Sequence, residues 1–417
     1  MNNPTTLSAK KTVAKGKLLS TPGFSVVFVP SIKKAGMDWE TATQEQNVFL
    51  QKNYLCAIEE NPPEGMKFGY LLFYKNQQPV GASALQVLHF KADRSLNLDE
   101  KMQTGTCECF FRGFGNMLKS LVASQVEFNT LVCGNLLVTG EHGYYFQPGQ
   151  VTSKQQVTLL KEGLDFAQEA LAKTGIKTEV VFVKEFFKDN SDYFRKNLEK
   201  SKFSEFCVQP NMIFNIQKDW KTFDDYLNAL SSKYRVRAKR AFKKSADIQK
   251  LNLDEHLIGA YRDRMFELYA FVAENAGFNL VQLHPDYLPG LKKHLGEDFQ
   301  ITGYFLNKNL IGFYTTIKNG EDLEAHFLGY DAALNGAHQI YLNMLFDLIK
   351  DGIETGAKRL NLARTALEIK SSIGAEPHDM FCYIRHSNSF ANRFIKPLVD
   401  YLNPQDEWMP RNPFKEE

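Results

Sequence analysis

Three things are scarce in this sequence, and each scarcity excludes a class of protein. Long apolar runs are missing: no window approaches about 18 consecutive apolar residues, so nothing reads as a membrane-spanning helix. Paired cysteines are missing too. The six cysteines are Cys56, Cys107, Cys109, Cys133, Cys207 and Cys382, and none belongs to a CxxC pair. Cys107 and Cys109 fall on one face of a strand-like stretch, with no second pair and no histidine cluster beside them. A zinc site is not expected, and the thiols read as buried or half-buried groups of a reducing cytosol. Finally, there is little charge excess. Charged residues make up 24% of the chain, yet the formal net charge is +2, so no global field favours nucleic acid or membrane. Any such partner has to be argued from a local patch.

The opening stretch, "MNNPTTLSAKKTVAKGKLLSTPG", carries lysines but no apolar core, so it does not read as a signal peptide. Residues 1–22 are expected to be a flexible tail.

What is present is a large stock of core-forming residues. The chain has 417 residues, 43% hydrophobic and 13% aromatic, which fits two domains with real cores. The two halves repeat one pattern. "GYLLFYKNQQPVGASAL" (69–85) and "GYFLNKNLIGFYTTI" (303–317) both read as a strand, a Lys/Asn turn and a second strand opening on an apolar-Gly pair, a β-hairpin signature. Val80-Gly81 in one matches Ile311-Gly312 in the other.

A strand, a helix and another strand then follow in each half. In the first, "TLVCGNLLVTG" leads to a helix with Ser153 as its cap, Gly175 as its stop and Val157, Leu160, Leu164 and Leu171 on its apolar side. In the second, "DLEAHFLGYD" leads to a helix around Ile340–Ile353 ending at Gly356, then "KRLNLAR". The first copy carries extra residues between about Phe90 and Asn129. The predicted organisation is α/β with a mixed sheet, duplicated: domains over 23–215 and 216–417. No Pro/Ser-rich linker separates them, so firm packing is expected.

At this point the residues resemble a family. The order of elements, with "FDDYLNALSSKYRVRAKRAFKK" (Phe223–Lys244), "HFLGYDAAL" and "GAKRLNLARTALEIKSSIGAEP", is similar to tandem GNAT N-acyltransferases of the FemAB-like and BioF2-like kind. The likeness covers residues ~215–395 through these motifs and ~25–210 through the order of elements alone. It implies two GNAT-like domains and transfer of an acyl or aminoacyl group, from acyl-CoA, an acyl carrier protein or aminoacyl-tRNA, to an amine. The acceptor it suggests is a cell-envelope precursor or lipid. It also implies a phosphate cradle at the start of the main helix, here Asn335, Gly336, Ala337, His338 and Gln339. "AALNGAHQI" departs from the family's glycine pattern, with Gln339 where relatives tend to have Gly. Phosphate cradle and plain β-α-β hinge therefore both stand as readings of that turn.

Catalytic candidates come from strand alternation. In "EAHFLGYD", Glu324, His326 and Leu328 are expected on one face, and Ala325, Phe327 and Gly329 on the other. Glu324 and His326 would then be neighbours, as a base and its orienting partner are, or else a solvated face with a structural histidine. Tyr330 and Asp331 close the strand, where α/β sheets place ligands, or serve as packing and turn. Arg364, Glu368 and Lys370 form a second candidate cluster for a carboxylate or phosphate, with Arg385 and His386 expected in the same cleft. Phe223–Lys244 reads as one amphipathic helix, its outer face holding Lys233, Arg235, Arg237 and Arg240. This is either a solvated face or a contact for tRNA, an anionic precursor or acidic lipid headgroups. "VTGEHGYYFQPG" (Val138–Gly149) reads as a tight hairpin or a loop facing the cleft.

Two functions from different classes result. One is an N-acyltransferase, expected in the cytoplasm or at the membrane periphery. The other is a non-catalytic protein of the same fold that grips an anionic precursor or surface. A nucleic-acid binder is disfavoured, because the basic patch lacks interleaved stacking aromatics.

Overall fold

A computed structural model describes residues 16–91, 127–188, 194, 197–275, 281–402 and 408–415. Cys107, Cys109, most of the tail and most of the first copy's extra segment lie outside these residues. Cys56, Cys133, Cys207 and Cys382 are free thiols.

The repeat is plain in the first hairpin. Strands β3 (Met66–Lys75) and β4 (Gln78–Lys91) join through Asn76 and Gln77, with φ of 48° and 67°. Strands β10 (Phe299–Leu306) and β11 (Asn309–Asn319) join through Asn307 and Lys308, with φ of 49° and 67°. Two left-handed residues in succession make the tight turn whose twist matches the flanking strands. The register then slips by one residue at the same place in both, with Phe73 opposite Gly81 and Tyr304 opposite Gly312. Gly81 is needed there, since an added Cβ would strike the Phe146 ring and come within 2.9 Å of the Tyr145 carbonyl; at Gly312 it would press on the end of the Met344 side chain.

Each half continues alike. After β4 come β5 (Glu127–Cys133), β6 (Tyr144–Phe146), α3 (Ser153–Lys173) and β7 (Val180–Phe187), with β7 parallel to β5. After β11 come β12 (Asp322–Tyr330), α9 (Ala332–His338), α10 (Ile340–Glu354) and β13 (Arg359–Asn361), with β13 parallel to β12. Before the hairpins stand β2 (Phe24–Val29), α1 (Met37–Thr43) and α2 (Lys52–Glu60) in one half. The other half has β9 (Gln249–Asn252), α6 (Glu255–Ala260), α7 (Arg262–Glu274) and α8 (Tyr287–Leu295). This is an α/β chain with a mixed sheet, built of two tandem units that repeat one order of elements.

The units are joined by exchange. β8 (Ser204–Asn215) follows the first unit but pairs with β13 of the second, and β14 (Glu376–His386) follows the second but pairs with β7 of the first. β8 and β14 also pair with each other. With the short β1 (Lys17–Leu18) at one edge, the sheet runs β1-β2-β3-β4-β5-β7-β14-β8-β13-β12-β11-β10-β9, and β6 pairs with β4. Each unit therefore satisfies backbone groups that the other would leave open.

One side of the sheet carries α3 over the first unit and α10 over the second. Ile340, Met344, Leu345, Leu348 and Ile349 of α10 are all buried, as their spacing predicted. On the other side a single apolar cluster spans both units, Trp39, Tyr54 and Ile58 meeting Tyr287, Leu288 and Leu291.

Three local expectations need correcting. Thr152, not Ser153, caps α3, through a reciprocal pair of bonds with Gln155. Phe223–Lys244 is not one helix: α4 (Phe223–Ala229) stops where Leu230 turns extended, and α5 (Ser232–Lys244) begins anew. The cause is the C-terminal segment, whose Pro413 C=O accepts from Ser231 N–H at 2.9 Å and whose Phe414 bridges Leu230. Val138–Gly149 is not a hairpin, because β5 and β6 both pair with β4 rather than with each other.

Candidate functional site

Parallel strands β12 and β13 part almost as soon as they meet. They pair only at Asp322–Glu324 with Arg359–Asn361. The chain beyond Asn361 then follows β8, where Leu362 N–H donates to Met212 C=O at 2.9 Å and Met212 N–H to Ala363 C=O at 3.1 Å. Residues 325–330 are left without a strand on that side. The sheet opens beside His326.

Glu324 sits at the last paired position. Its carboxylate accepts from Asn319 Nδ2 at 3.0 Å, and Asn319 Oδ1 accepts from Val48 N–H of the first unit at 3.0 Å. Burial lifts the carboxyl to about 7, with the Asn319 and Asn361 amides working against the rise. A carboxyl poised there can exchange a proton near neutral pH.

His326 shares that face, but Leu328 does not. Opposite Thr315, β12 carries two residues instead of one. Thr315 Oγ1 accepts from Phe327 N–H and donates to Phe327 C=O, both at 2.9 Å. This bulge turns His326 and Phe327 to one side and resets the alternation, sending Leu328 into the core beneath α10. His326 is packed among Phe49, Tyr287 and Phe327, its Nε2 hydrogen-bonded to Tyr287 Oη at 2.8 Å. Burial pushes it down to about 3, so the ring is neutral at working pH.

From His326 a buried polar row crosses between the units. The Tyr287 and Tyr54 hydroxyls lie 3.5 Å apart, and Asn135 Nδ2 donates to Tyr54 Oη at 2.9 Å. Nearby, Asn47 Nδ2 donates to His142 Nδ1 at 2.9 Å, and His142 Nε2–H to Thr139 C=O at 3.1 Å. Burial holds His142 down at about 4.

Tyr330 is half-buried against Tyr341, with ring centroids 5.8 Å apart. Asp331 caps α9, accepting from Ala333 N–H at 3.0 Å. The expected turn over Asn335–Gln339 is corrected by α9, which takes in Asn335, Gly336, Ala337 and His338. Only Gln339, at φ 51°, joins it to α10. Asn335 Oδ1 accepts from Tyr341 N–H at 3.0 Å, and His338 Nδ1–H donates to Lys244 C=O at 3.1 Å. Both helix starts thus already have side-chain caps, one of them acidic, which disfavours a bare phosphate cradle.

Arg364 reaches across the exchanged strands, its Nη1 3.2 Å from Glu185 Oε1 of β7. Glu185 Oε2 lies 2.6 Å from Lys184 Nζ and accepts from Gly140 N–H at 2.6 Å. Burial alone would raise Glu185, but Lys184 and Arg364 win and hold its carboxyl below the usual range. Lys370 is buried, and its Nζ donates to Arg364 C=O at 2.6 Å. Burial first, and Arg364 second, push it down to about 7.

Glu368 is not with them, since its carboxylate pairs with Arg411 Nη2 at 2.8 Å on the surface. Arg385 is engaged by Asp165 of α3 at 2.6 Å, and His386 Nδ1 accepts from Asn388 N–H at 2.9 Å. Arg235 is half-buried, with Nη2 donating to Leu230 C=O at 2.8 Å and Asn228 C=O at 3.3 Å. It closes the end of α4 and is not a free surface cation. Lys233, Arg237 and Arg240 remain exposed on α5. Lys184 and Glu185 were missed in the sequence, though a Lys-Glu pair inside the apolar "VVFVKEFF" was the signal for them.

Among the described residues no group of His, Cys, Asp and Glu could hold a metal, and no helix is long and apolar enough to cross a membrane.

No protein-family model matches the chain, and no curated protein matches it by sequence. Solved structures do resemble it. A tandem GNAT protein from the clavulanic acid biosynthesis pathway is 9% identical, covering 87% of this chain and 99% of its own, at a TM-score of 0.49. FemX is 11% identical, covering 83% and 97%, at 0.47. L-PGS from Bacillus licheniformis is 11% identical, covering 84% and 94%, at 0.44.

Proposed function

We propose that this chain is an N-acyltransferase that passes an acyl or aminoacyl group from a thioester or tRNA ester to an amine, with Glu324 as general base. One observation carries the reading: a buried carboxyl, lifted to about 7, stands where β12 and β13 part. Transfer needs a neutral amine. Its nitrogen attacks the acyl carbon, the C–S or C–O bond breaks, and a base takes the surplus proton. Asn319, tied to Val48 of the first unit, fixes the carboxylate, so both units contribute to the site. His326 is neutral and enclosed, and it supports the strand in place of a second base. The donor class stays broad, with acyl-CoA as one candidate. The exposed Lys233, Arg237 and Arg240 on α5 suit an anionic donor or acceptor carrier, such as tRNA, a cell-envelope precursor or a lipid surface.

The capped starts of α9 and α10 favour the second reading, a binding protein of this fold without transfer chemistry. Single-turnover assays with acyl-CoA, acyl carrier protein and aminoacyl-tRNA donors separate the two. The transferase reading expects amide formation with at least one donor, reduced about 100-fold or more in Glu324→Gln. Equal rates in Glu324→Gln and the unaltered protein would refute Glu324 as base.

A further inference from the structure

We propose that the seam between the units beneath Arg364 binds a carboxylate of the acceptor, which makes the acceptor an amino acid or a carboxylate-bearing peptide. The inference rests on the transferase reading for the word acceptor, but the site itself does not.

Two independent observations meet there. The first is Asn211 of β8, which is fully buried, and neither its Nδ2 nor its Oδ1 has a hydrogen-bond partner among the described residues. A buried amide with four unused bonding positions is rare in a folded chain and calls for an explanation. Met212 and Phe214 enter the core beneath α10, so alternation turns Asn211 to the opposite face, the face of Ile213 and its register partner Asn361. The hydrogen bonds at Met212 put Asn211 beside Ala363 and Arg364. Its partner across β14 is His378, whose Nε2 is likewise buried and unpartnered.

The second observation is charge. Lys184 and Arg364 both contact one buried carboxylate, Glu185, and the buried Lys370 donates its Nζ to the Arg364 carbonyl. The nearby Glu141 is taken up by Phe187 N–H at 2.6 Å. Three basic side chains are thus gathered with two carboxylates, Glu185 and Glu141, an excess that an anionic ligand would balance. Arg364 still has 32% of its side chain exposed, so its guanidinium is within a ligand's reach.

The chemistry points to a carboxylate in place of a phosphate. A planar carboxylate accepts from the guanidinium fork and from Asn211 Nδ2. The amide Oδ1 then faces an N–H of the same molecule, which an amino acid or peptide has and a phosphate ion does not. In the present structure the chain closes over Asn211. The segment beside it holds Ala363, Thr365 and Ala366 at φ of 57°, 68° and 49°, a strained stretch whose relaxation would admit the ligand.

The test is a thermal-shift series on the full chain, in buffer free of carboxylate and phosphate. The probes are glycine, acetate, methylamine and inorganic phosphate. Glycine is expected to raise the Tm by about 2 °C at a tenfold excess over Kd, acetate at the same concentration by less because it has no N–H for Asn211 Oδ1, and methylamine and phosphate to leave it unchanged. Arg364→Gln and Asn211→Leu should both abolish the glycine shift. Asn211→Leu should melt no lower than the unaltered chain, because it removes an unsatisfied amide at similar volume, so its lost response cannot be blamed on unfolding. A methylamine or phosphate shift equal to that of glycine, or a glycine shift that survives Asn211→Leu, would overturn the site. Amide formation without any glycine shift would overturn the site and leave the transferase reading in place. A glycine shift without transfer from any donor would support the site and end that reading.

Discussion

A carboxyl lifted to about 7 by burial is destabilising when ionised, and that fixes a sign for Glu324. The folded state holds its proton more tightly than the unfolded state does, so stability is full below the unfolded value and falls as pH rises towards 7. Glu324→Gln should therefore unfold at the same urea concentration as the unaltered chain at pH 4, yet be more stable at pH 8 by about 3 kcal/mol. Lys370 has the opposite slope. Burial and Arg364 push its pKa down to about 7, so folding is penalised at low pH and the penalty fades as pH rises from 7 towards the unfolded value. Lys370→Met should gain stability at pH 6 and gain little at pH 10, measured by the same unfolding curves. Both changes should lower function while raising stability, the pattern expected where a site is held in a costly state. The backbone agrees, since Glu185, Ala363, Thr365 and Ala366 all take left-handed conformations within this one seam.

At the scale of elements, local chemistry was legible where it acted alone. The Asn76-Gln77 and Asn307-Lys308 turns, the apolar stripe of α10 and the stop of α3 at Gly175 all follow from residues next to one another. Gln77→Gly and Lys308→Gly should each stabilise the chain by about 0.5–1 kcal/mol, because both positions already sit at φ 67°. Thermal unfolding would show it, and a loss at either position would contradict the turn assignment. What could not be read was anything set by a distant partner. The break between α4 and α5 comes from a C-terminal segment some 180 residues away, as the Ser231–Pro413 bond shows. The bulge that reverses Leu328 depends on Thr315 of another strand. Arg235 and Arg237 looked alike in sequence and are not. Arg235→Ala should cost about 1 kcal/mol by exposing the last carbonyls of α4, and Arg237→Ala less than about 0.5 kcal/mol.

At the scale of the whole molecule, the duplicated order of elements predicted two units in firm contact, but not how they are joined. Strand exchange leaves no local trace, because β8 and β14 read as ordinary strands wherever they pair. The candidate site suffered the same limit: Glu324, Arg364 and Lys370 stood out singly, whereas Asn319, Lys184, Glu185 and Asn211 matter only once the two units face each other. Exchange also makes a claim about cooperativity. Without β14, the first unit leaves the edge of β7 open, and without β8 the second leaves β13 with one neighbour. The apolar cluster shared by α2 and α8 would be halved as well. Calorimetry on the full chain should then show one transition whose van't Hoff and calorimetric enthalpies agree. Chains ending at residue 215 or starting at 216 should not fold when expressed apart, and should recover the native transition when refolded together. Two resolved transitions in the full chain, or a first half that melts cooperatively by itself, would mean that the exchanged strands add contact without binding the two units into one folding unit.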